Sequence, residues 1–283
     1  MSLPTGALDR FHQAVHGLDH PEGVAWGPDG FIYAGGEGGQ IYRASPDGDL
    51  DELCTTGGFI LGVALDRRRR IYACDYASRS VVRVGSSTVE TYSSGPPDRP
   101  FRLPNFLAFA DDGTLYVTDS GSRFAHEGSI VRISATGAAE TWSTALAAFP
   151  NGCCLDPVGT RLYVLETDTA SLHAVPILED GSAGDPILIA ELPGTVPDGI
   201  ACAADGSLYV SCYRPDAIYR VGPSGDVELI AQDPLGWIFS GPTNIAFGGP
   251  DLSQVVTANL AQRHLTIGDL GVPGLPLRYP EVE

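Results

Sequence analysis

The chain has 283 residues, of which 43% are hydrophobic, and its formal net charge is −18 from 17 basic and 35 acidic residues. This charge predicts no nucleic-acid partner and no attraction to an anionic membrane surface, because both need clusters of Lys and Arg. The sequence has no apolar run near the ~20 residues that span a bilayer and no signal-peptide pattern at residues 1–10, so we expect a cytoplasmic protein.

A unit of two strands recurs six times along the chain. Each copy has a short apolar strand, a turn that is mostly rich in Asp and Gly, and a second strand that often reads IY or LYV. The copies are, in chain order, 21–36, 60–75, 104–119, 150–166, 197–212 and 242–258. From the third copy on, their starts are 46, 47 and 45 residues apart (104 to 150 to 197 to 242). This period is typical of a four-stranded propeller blade.

The segments after each unit predict two further strands. A third strand is indicated by sequences such as SIVRIS (129–134), and a weaker fourth by sequences such as AETWST (139–144). The last unit has only one more strand, HLTIGD (264–269), and FHQAVHG (11–17) is predicted to supply the missing one and close the ring. We therefore predict an all-β fold, a six-bladed β-propeller with four-stranded blades, as a single domain over residues 1–283.

One position at the start of the first strand of each unit forms a column of mostly polar residues. In chain order it reads Glu22, Leu61, Asn105, Asn151, Asp198 and Thr243. The first strand of each propeller blade lines the central channel, so these side chains should form a ring around the axis. Two carboxylates there would repel each other and be poorly solvated, and a cation would remove both costs.

The column predicts one divalent cation held by Glu22, Asn105, Asn151 and Asp198. An all-oxygen set favours Ca²⁺, with Mg²⁺, Mn²⁺, Zn²⁺ or Fe²⁺ as alternatives, and disfavours a structural zinc site. Asn and Asp before a strand also cap turns in many proteins, so any single member could serve only a turn. The cysteines include no Cys-x-x-Cys pair and are expected to be reduced core residues; they are Cys54, Cys74, Cys153, Cys154, Cys202 and Cys212.

Five segments carry a resemblance to a known family: HPEGVAW, PNFLAFADDGTLYVTDSG, PNGCCLDPVGTRLYVLET, PDGIACAADGSLYVS and TNIAFGGPD. From about residue 18 to 270 the chain resembles the gluconolactonase / luciferin-regenerating-enzyme (senescence-marker-protein) family, which is similar in fold to diisopropyl fluorophosphatase and, more distantly, to strictosidine synthase. The resemblance implies a six-bladed propeller with a divalent metal on Glu22, Asn151 and Asp198, and with Asn105 at the metal or the substrate. It also implies metal-dependent hydrolysis of sugar lactones and related esters.

The third blade departs from the family pattern. Sugar-lactonase members carry an Arg-x-Asn-Asp run there, whereas this chain has Arg102-Leu-Pro-Asn105 followed by Phe106. The difference speaks against a sugar acid substrate and suggests a less polar one.

Several residues are candidates for the chemistry. A hard cation can polarise a lactone carbonyl, and Asp198 could be both ligand and base. His126 in the long loop of the third blade could act as base near neutral pH, or be an ordinary exposed loop residue. Asp119 is a candidate catalytic group, and Asp119 and Glu166 could instead be hydrogen-bond partners of the site. Trp237 and Phe239 could wall an apolar pocket or simply pack.

We therefore predict a metal-dependent lactonase or esterase-type hydrolase that opens a small lactone, either of the sugar type or less polar. Alternatives are an organophosphate hydrolase, or a natural-product cyclase or isomerase, on the same site. A further alternative is a non-catalytic propeller that binds a ligand or partner and whose ion is structural. The expected partner is a small-molecule substrate, and the expected state is a monomer or weak homo-oligomer.

Overall fold

The computed structural model describes residues 6–85 and 88–283, and these residues form the predicted six-bladed β-propeller. Each blade is a four-stranded antiparallel sheet whose strands follow the chain from the axis outward, apart from the blade that closes the ring. A 3-10 turn at Leu8–Arg10 precedes the first strand, and the described residues contain no α-helix.

The first three blades use twelve consecutive strands. Blade one contains β2 (Val24–Trp26), β3 (Ile32–Gly35), β4 (Gln40–Ala44) and β5 (Leu50–Thr55). Blade two contains β6 (Ile60–Leu65), β7 (Ile71–Asp75), β8 (Ser80–Val84) and β9 (Val89–Ser93). Blade three contains β10 (Pro104–Phe109), β11 (Leu115–Asp119), β12 (Ser129–Ile133) and β13 (Ala139–Ser143).

The remaining blades include the one that joins the two ends of the ring. Blade four contains β14 (Pro150–Leu155), β15 (Arg161–Glu166), β16 (Ser171–Pro176) and β17 (Ile187–Glu191). Blade five contains β18 (Val196–Cys202), β19 (Leu208–Arg214), β20 (Ala217–Val221) and β21 (Val227–Gln232). Blade six contains β22 (Pro242–Gly248), β23 (Gln254–Asn259), β24 (His264–Asp269) and β1 (Phe11–His16).

The outer strand of blade six comes from the beginning of the sequence, as predicted. β1 pairs antiparallel with β24, from Phe11 opposite Gly268 to His16 opposite His264. The ring of Phe11 fills the space above Gly268 and meets the buried Phe239 ring at 4.9 Å. This pairing removes an exposed edge from the last blade, which is the physical advantage of closing a propeller.

The hydrophobic core is divided among the interfaces between adjacent blades. Six clusters of buried residues occur in the described structure, one between each pair of neighbouring blades. Between blades two and three, for example, the buried Tyr72 ring meets Phe109 edge to face at 4.9 Å. Phe106 lies in the cluster between blades three and four. Each blade therefore depends on both of its neighbours for burial.

The inner strands approach one another closely at the residue after the column position. A Cβ built on Gly152 would lie 2.4 Å from the Asp198 carbonyl oxygen, and one on Gly199 would lie 2.5 Å from the Thr243 carbonyl oxygen. Real side chains do not tolerate such contacts with backbone, so glycine is needed where the strands crowd the axis. This crowding lets side chains from different blades meet in one narrow channel.

The last residues of the sequence, 271–283, cross the end of the channel opposite the column, and we call them the closing segment. The Tyr279 hydroxyl donates to the Trp26 carbonyl at 2.7 Å, and Val282 is 1% exposed within the core between blades two and three. The segment hydrogen-bonds to residues of all six blades, among them Trp26, Arg67, Asp111, Asp156, Cys202 and Leu252. An apolar cavity of about 180 Å³ lies beneath it.

Two smaller predictions concern the cysteines and membranes. All six cysteines are free, four of them are buried, and Cys54 and Cys154 are partly buried. Burial raises the pKa of the Cys202 thiol to about 12, so it is protonated at neutral pH. In the described part of the chain, no helix could cross a membrane.

Candidate metal centre and substrate pocket

The four predicted ligands meet at one end of the channel. Glu22 lies just before β2, Asn105 and Asn151 are the second residues of β10 and β14, and Asp198 lies in β18. All four side chains are buried, and all four line one pocket of about 250 Å³. The structure therefore brings together residues that are up to 176 positions apart in the sequence (22 to 198).

Two hydroxyl groups fix the orientation of the asparagine amides. The Asn105 Nδ2 donates to the Ser120 hydroxyl at 3.0 Å, and that hydroxyl donates to the Pro150 carbonyl at 2.6 Å. The same arrangement recurs one blade later, where Asn151 Nδ2 donates to Thr167 at 3.2 Å and Thr167 donates to a carbonyl at 2.8 Å. Each hydroxyl gives its only proton to a carbonyl and can only accept from the amide. The amide nitrogens are therefore held back and the oxygens are left free.

The free oxygens fit a hard cation. Asn105 Oδ1, Asn151 Oδ1 and Asp198 Oδ1 are buried and have no hydrogen-bond partner. Unpartnered buried oxygens are costly, and this cost is removed if they coordinate an ion. Residues 6–85 and 88–283 contain no cluster of three or more His, Cys, Asp or Glu suited to a metal. Two carboxylates with amide oxygens are nevertheless a donor set that suits Ca²⁺.

Burial strongly perturbs the two carboxyl groups. It raises the pKa of Asp198 to about 7. The Asn151 amide and the positive charge of the Arg123 guanidinium lower this pKa and so offset part of the rise. Burial also raises the pKa of Glu22 well above its ordinary value, and the nearby negative charge of Asp198 adds to the effect. Without a cation, the two groups cannot both be ionised at neutral pH without a substantial cost.

This pair predicts how the stability of the metal-free protein depends on pH. A carboxyl group whose pKa is raised by folding stabilises the folded state while it is protonated. This stabilisation is fully present below the pKa of the unfolded state, near 4, and is lost as the pH rises through the pKa of the folded state. For Asp198 alone the loss between pH 5 and 8 amounts to about 2–3 kcal/mol. We expect thermal unfolding of chelated protein to show this loss, and added Ca²⁺ to reverse it.

A matched pair of variants isolates the effect. Asp198→Asn should flatten this component of the pH dependence because it removes the buried charge. Asp205→Asn, on an exposed turn of the same blade, should retain it. Equal pH dependence of the unfolding free energy in wild type and Asp198→Asn would contradict the prediction.

Asn244 is a buried residue at the centre that the sequence column does not include. Its Nδ2 donates to Glu22 Oε2 at 3.4 Å, and its Oδ1 is buried without a partner. The column residue of the same blade, Thr243, instead donates its hydroxyl to the Glu22 main-chain carbonyl at 2.8 Å. Asn244 occupies the position directly after the column, where four other blades have glycine. A polar side chain at a position that is mostly glycine is the sequence signal that could have identified it.

Asp119 and Glu166 accept hydrogen bonds from equivalent loops beside the pocket, in blades three and four. Asp119 accepts from the Leu103 amide at 2.6 Å, and Glu166 accepts from the Ala148 amide at 2.7 Å. Burial raises the pKa of Asp119. Neither residue is among those that line the pocket. Their contacts agree with the alternative that they act as hydrogen-bond partners, here of the loops that precede β10 and β14.

The long loop of blade three folds towards blade four. Arg123 forms an ion pair with Asp168, and its guanidinium lies 5.1 Å from the centre of the Phe149 ring. His126 lies in this loop, is exposed, and is not among the residues that line the pocket. Its role as a base stays a prediction. Arg123, which the sequence did not single out, is the loop residue whose charge acts on Asp198.

Trp237 and Phe239, for which the sequence left a pocket wall and simple packing open, do not line this pocket. Trp237 is 72% exposed, and Phe239 is fully buried in the core between blades five and six. Phe106 also faces away, into the core between blades three and four. The pocket is instead walled by a different apolar set, namely Phe59, Leu61, Tyr76, Leu103 and Phe149.

The family follows from a comparison with known proteins. Residues 20–259 match a family model described as the SMP-30/Gluconolactonase/LRE-like region. The chain belongs to this family. The resemblance inferred from the five segments is thereby confirmed, and the SMP-30/gluconolactonase family is consistent with a lactonase-type site.

Two curated relatives of this SMP-30/gluconolactonase family member carry different activity names. Virginiamycin B lyase of Nocardia farcinica is 27% identical over 198 residues, which cover 70% of this chain and 63% of the relative. Gluconolactonase of Zymomonas mobilis is 26% identical over 193 residues, which cover 58% and 52%. The matches thus span less than two thirds of the length of these relatives.

Solved structures share the fold over nearly the whole chain. A gluconolactonase of Xanthomonas campestris has a TM-score of 0.75 at 20% identity, covering 93% of this chain and 88% of that one. Regucalcin of Agrobacterium tumefaciens, a calcium-binding protein, has a TM-score of 0.75 at 18% identity, covering 99% and 100%. At these identities the likeness shows the fold alone.

Proposed function

We propose that this protein is a divalent-metal-dependent lactonase. One cation is held by Glu22, Asn105, Asn151 and Asp198, and Ca²⁺ is the favoured ion. The observation that carries the proposal is the set of buried, unpartnered oxygens that converge in one pocket. Membership of a gluconolactonase family and a relative of that name support the reaction class. The fold neighbour described as calcium-binding supports the choice of ion.

The residues of the site fit ester hydrolysis. A bound dication would supply polarisation of the lactone carbonyl and stabilise negative charge on its oxygen. Asp198 is the proposed base as well as a proposed ligand, because a carboxylate has two oxygens: Oδ1 would hold the cation, and the other oxygen would accept the proton of the attacking water. Water adds to the carbonyl carbon and gives its proton to Asp198, and the ring carbon–oxygen bond breaks. The leaving oxygen takes up that proton, and the product is a hydroxy acid.

The test is hydrolysis of a lactone panel followed with a pH indicator. We expect turnover by the Ca²⁺-loaded protein, loss of turnover after chelation, and recovery when Ca²⁺ is restored. Absence of turnover on every lactone, with Ca²⁺ binding demonstrated by calorimetry, would overturn the proposal.

A second reaction class is favoured by one observation, the similarity to a protein named as a lyase. A lyase breaks a bond without adding water. Mass spectrometry of the product separates the two, because hydrolysis adds the mass of one water to the substrate and elimination does not.

A further inference from the structure

The pocket above the candidate ligands has an apolar wall on one side. Three of its residues, Phe59, Leu61 and Tyr76, come from blade two, and Leu103 and Phe149 complete the wall from blades three and four. Leu61 occupies the column position itself, where every other blade has a polar residue. The ring around the axis is therefore polar at five of its six positions and apolar at the position that blade two supplies.

Most polar groups of the pocket are either candidate metal ligands or already hydrogen-bonded. Among the described residues that line it, the polar side chains are the four candidate ligands and Tyr76. The amide nitrogens of Asn105 and Asn151 already donate to Ser120 and Thr167. The many hydroxyl groups of a sugar lactone would find few partners here, and each buried hydroxyl without a partner costs binding energy.

The nearby arginine of the third blade does not supply the missing contacts. Arg102 forms an ion pair with Glu127, has a 57% exposed side chain, and is not part of the pocket lining. Its backbone amide is held by the Asp119 carboxylate at 3.1 Å, which fixes the loop in this position. The wall near the column therefore stays apolar.

From this wall we infer that the substrate is a lactone with an aliphatic or aromatic substituent. This inference rests on the proposed function and adds the substrate class. The lactone carbonyl would face the four oxygens, and the substituent would lie against Phe59, Leu61 and Tyr76. Each methylene that leaves water for this wall favours binding by about fourfold.

The experiment compares three lactones on the Ca²⁺-loaded protein: δ-valerolactone, δ-decalactone, which adds a pentyl tail, and D-glucono-δ-lactone. If two or three methylenes of the tail are buried, kcat/KM for δ-decalactone should exceed that for δ-valerolactone by about 15- to 60-fold. D-Glucono-δ-lactone should fall at least about tenfold below δ-decalactone. A preference for D-glucono-δ-lactone would overturn the substrate class and leave the lactonase proposal standing.

A pair of aromatic substitutions tests the wall itself. Tyr76 is 47% exposed and can be changed to Ser without opening the core. Tyr76→Ser should reduce the ratio of kcat/KM for δ-decalactone to that for δ-valerolactone about fivefold, mainly through KM. Phe124→Ser, on an exposed loop outside the pocket lining, is the control and should leave it unchanged. An unchanged advantage in Tyr76→Ser would count against the assigned wall.

A binding measurement keeps the two proposals separate. Calorimetry on the Ca²⁺-loaded protein would compare the hydroxy acids that ring opening of δ-decalactone and D-glucono-δ-lactone would give. Tighter binding of the aliphatic acid without turnover of any lactone would support the apolar ligand class and sink the hydrolase. Equal binding without turnover would sink both.

Discussion

Asp198→Asn should strongly weaken both metal binding and lactone turnover while leaving the fold intact. The change keeps the shape of the side chain and removes one of the two charges among the four ligands. Mutating the outer partners of metal ligands costs about 10- to 100-fold in affinity, so loss of a charged ligand should weaken Ca²⁺ binding by at least about 100-fold. Loss of several kcal/mol of transition-state stabilisation should lower kcat by about 10³-fold or more.

The stability of the metal-free variant separates a lost ligand from a damaged fold. Asp198→Asn removes a buried carboxyl with a raised pKa, so at pH 8 the metal-free variant should unfold at or above the wild-type temperature. Asp205→Asn provides a matched substitution on an exposed turn of blade five and should keep both Ca²⁺ affinity and turnover. Wild-type affinity for Ca²⁺ in Asp198→Asn, measured by titration calorimetry, would remove Asp198 from the proposed centre.

Deletion of residues 272–283 should produce the largest loss of stability. Those residues hydrogen-bond to all six blades and bury Val282, and they cover the apolar end of the channel. Burial of one valine contributes about 1.5–3 kcal/mol, and with the lost hydrogen bonds we expect about 5 kcal/mol in total. A protein of this size should then melt about 10–20 °C lower.

Calorimetry and binding of a hydrophobic dye would measure the loss and the newly exposed surface. Glu281→Ala is the control in the same segment, because its side chain is 69% exposed, and it should change the unfolding free energy by no more than about 0.5 kcal/mol. Val282→Ala should fall between the two, at about 2 kcal/mol. An unaltered melting temperature after the deletion would show that the ring is held by its blade interfaces alone.

The sequence alone predicted the blades, their strand count and the strand that closes the ring. This was possible because a propeller repeats one local unit, so each of the six copies independently supports the same arrangement. The column followed from the same symmetry, because equivalent positions in repeated units must lie at equivalent distances from the axis. Glu22, Asn105, Asn151 and Asp198 could therefore be placed in one ring without any long-range contact being known.

Only the tertiary structure decided how the side chains around that ring are directed. The free oxygens of Asn105 and Asn151 depend on hydroxyls that are anchored to the next blade, and that contact is absent from any single repeat. Asn244 reaches Glu22 only because the ring closes and places the sixth blade beside the first. Phe106, next to Asn105 in sequence, faces a blade interface, while Phe59 and Tyr76 from another blade wall the pocket. Local periodicity determines which residues approach the axis, and packing between blades determines which of their atoms face it.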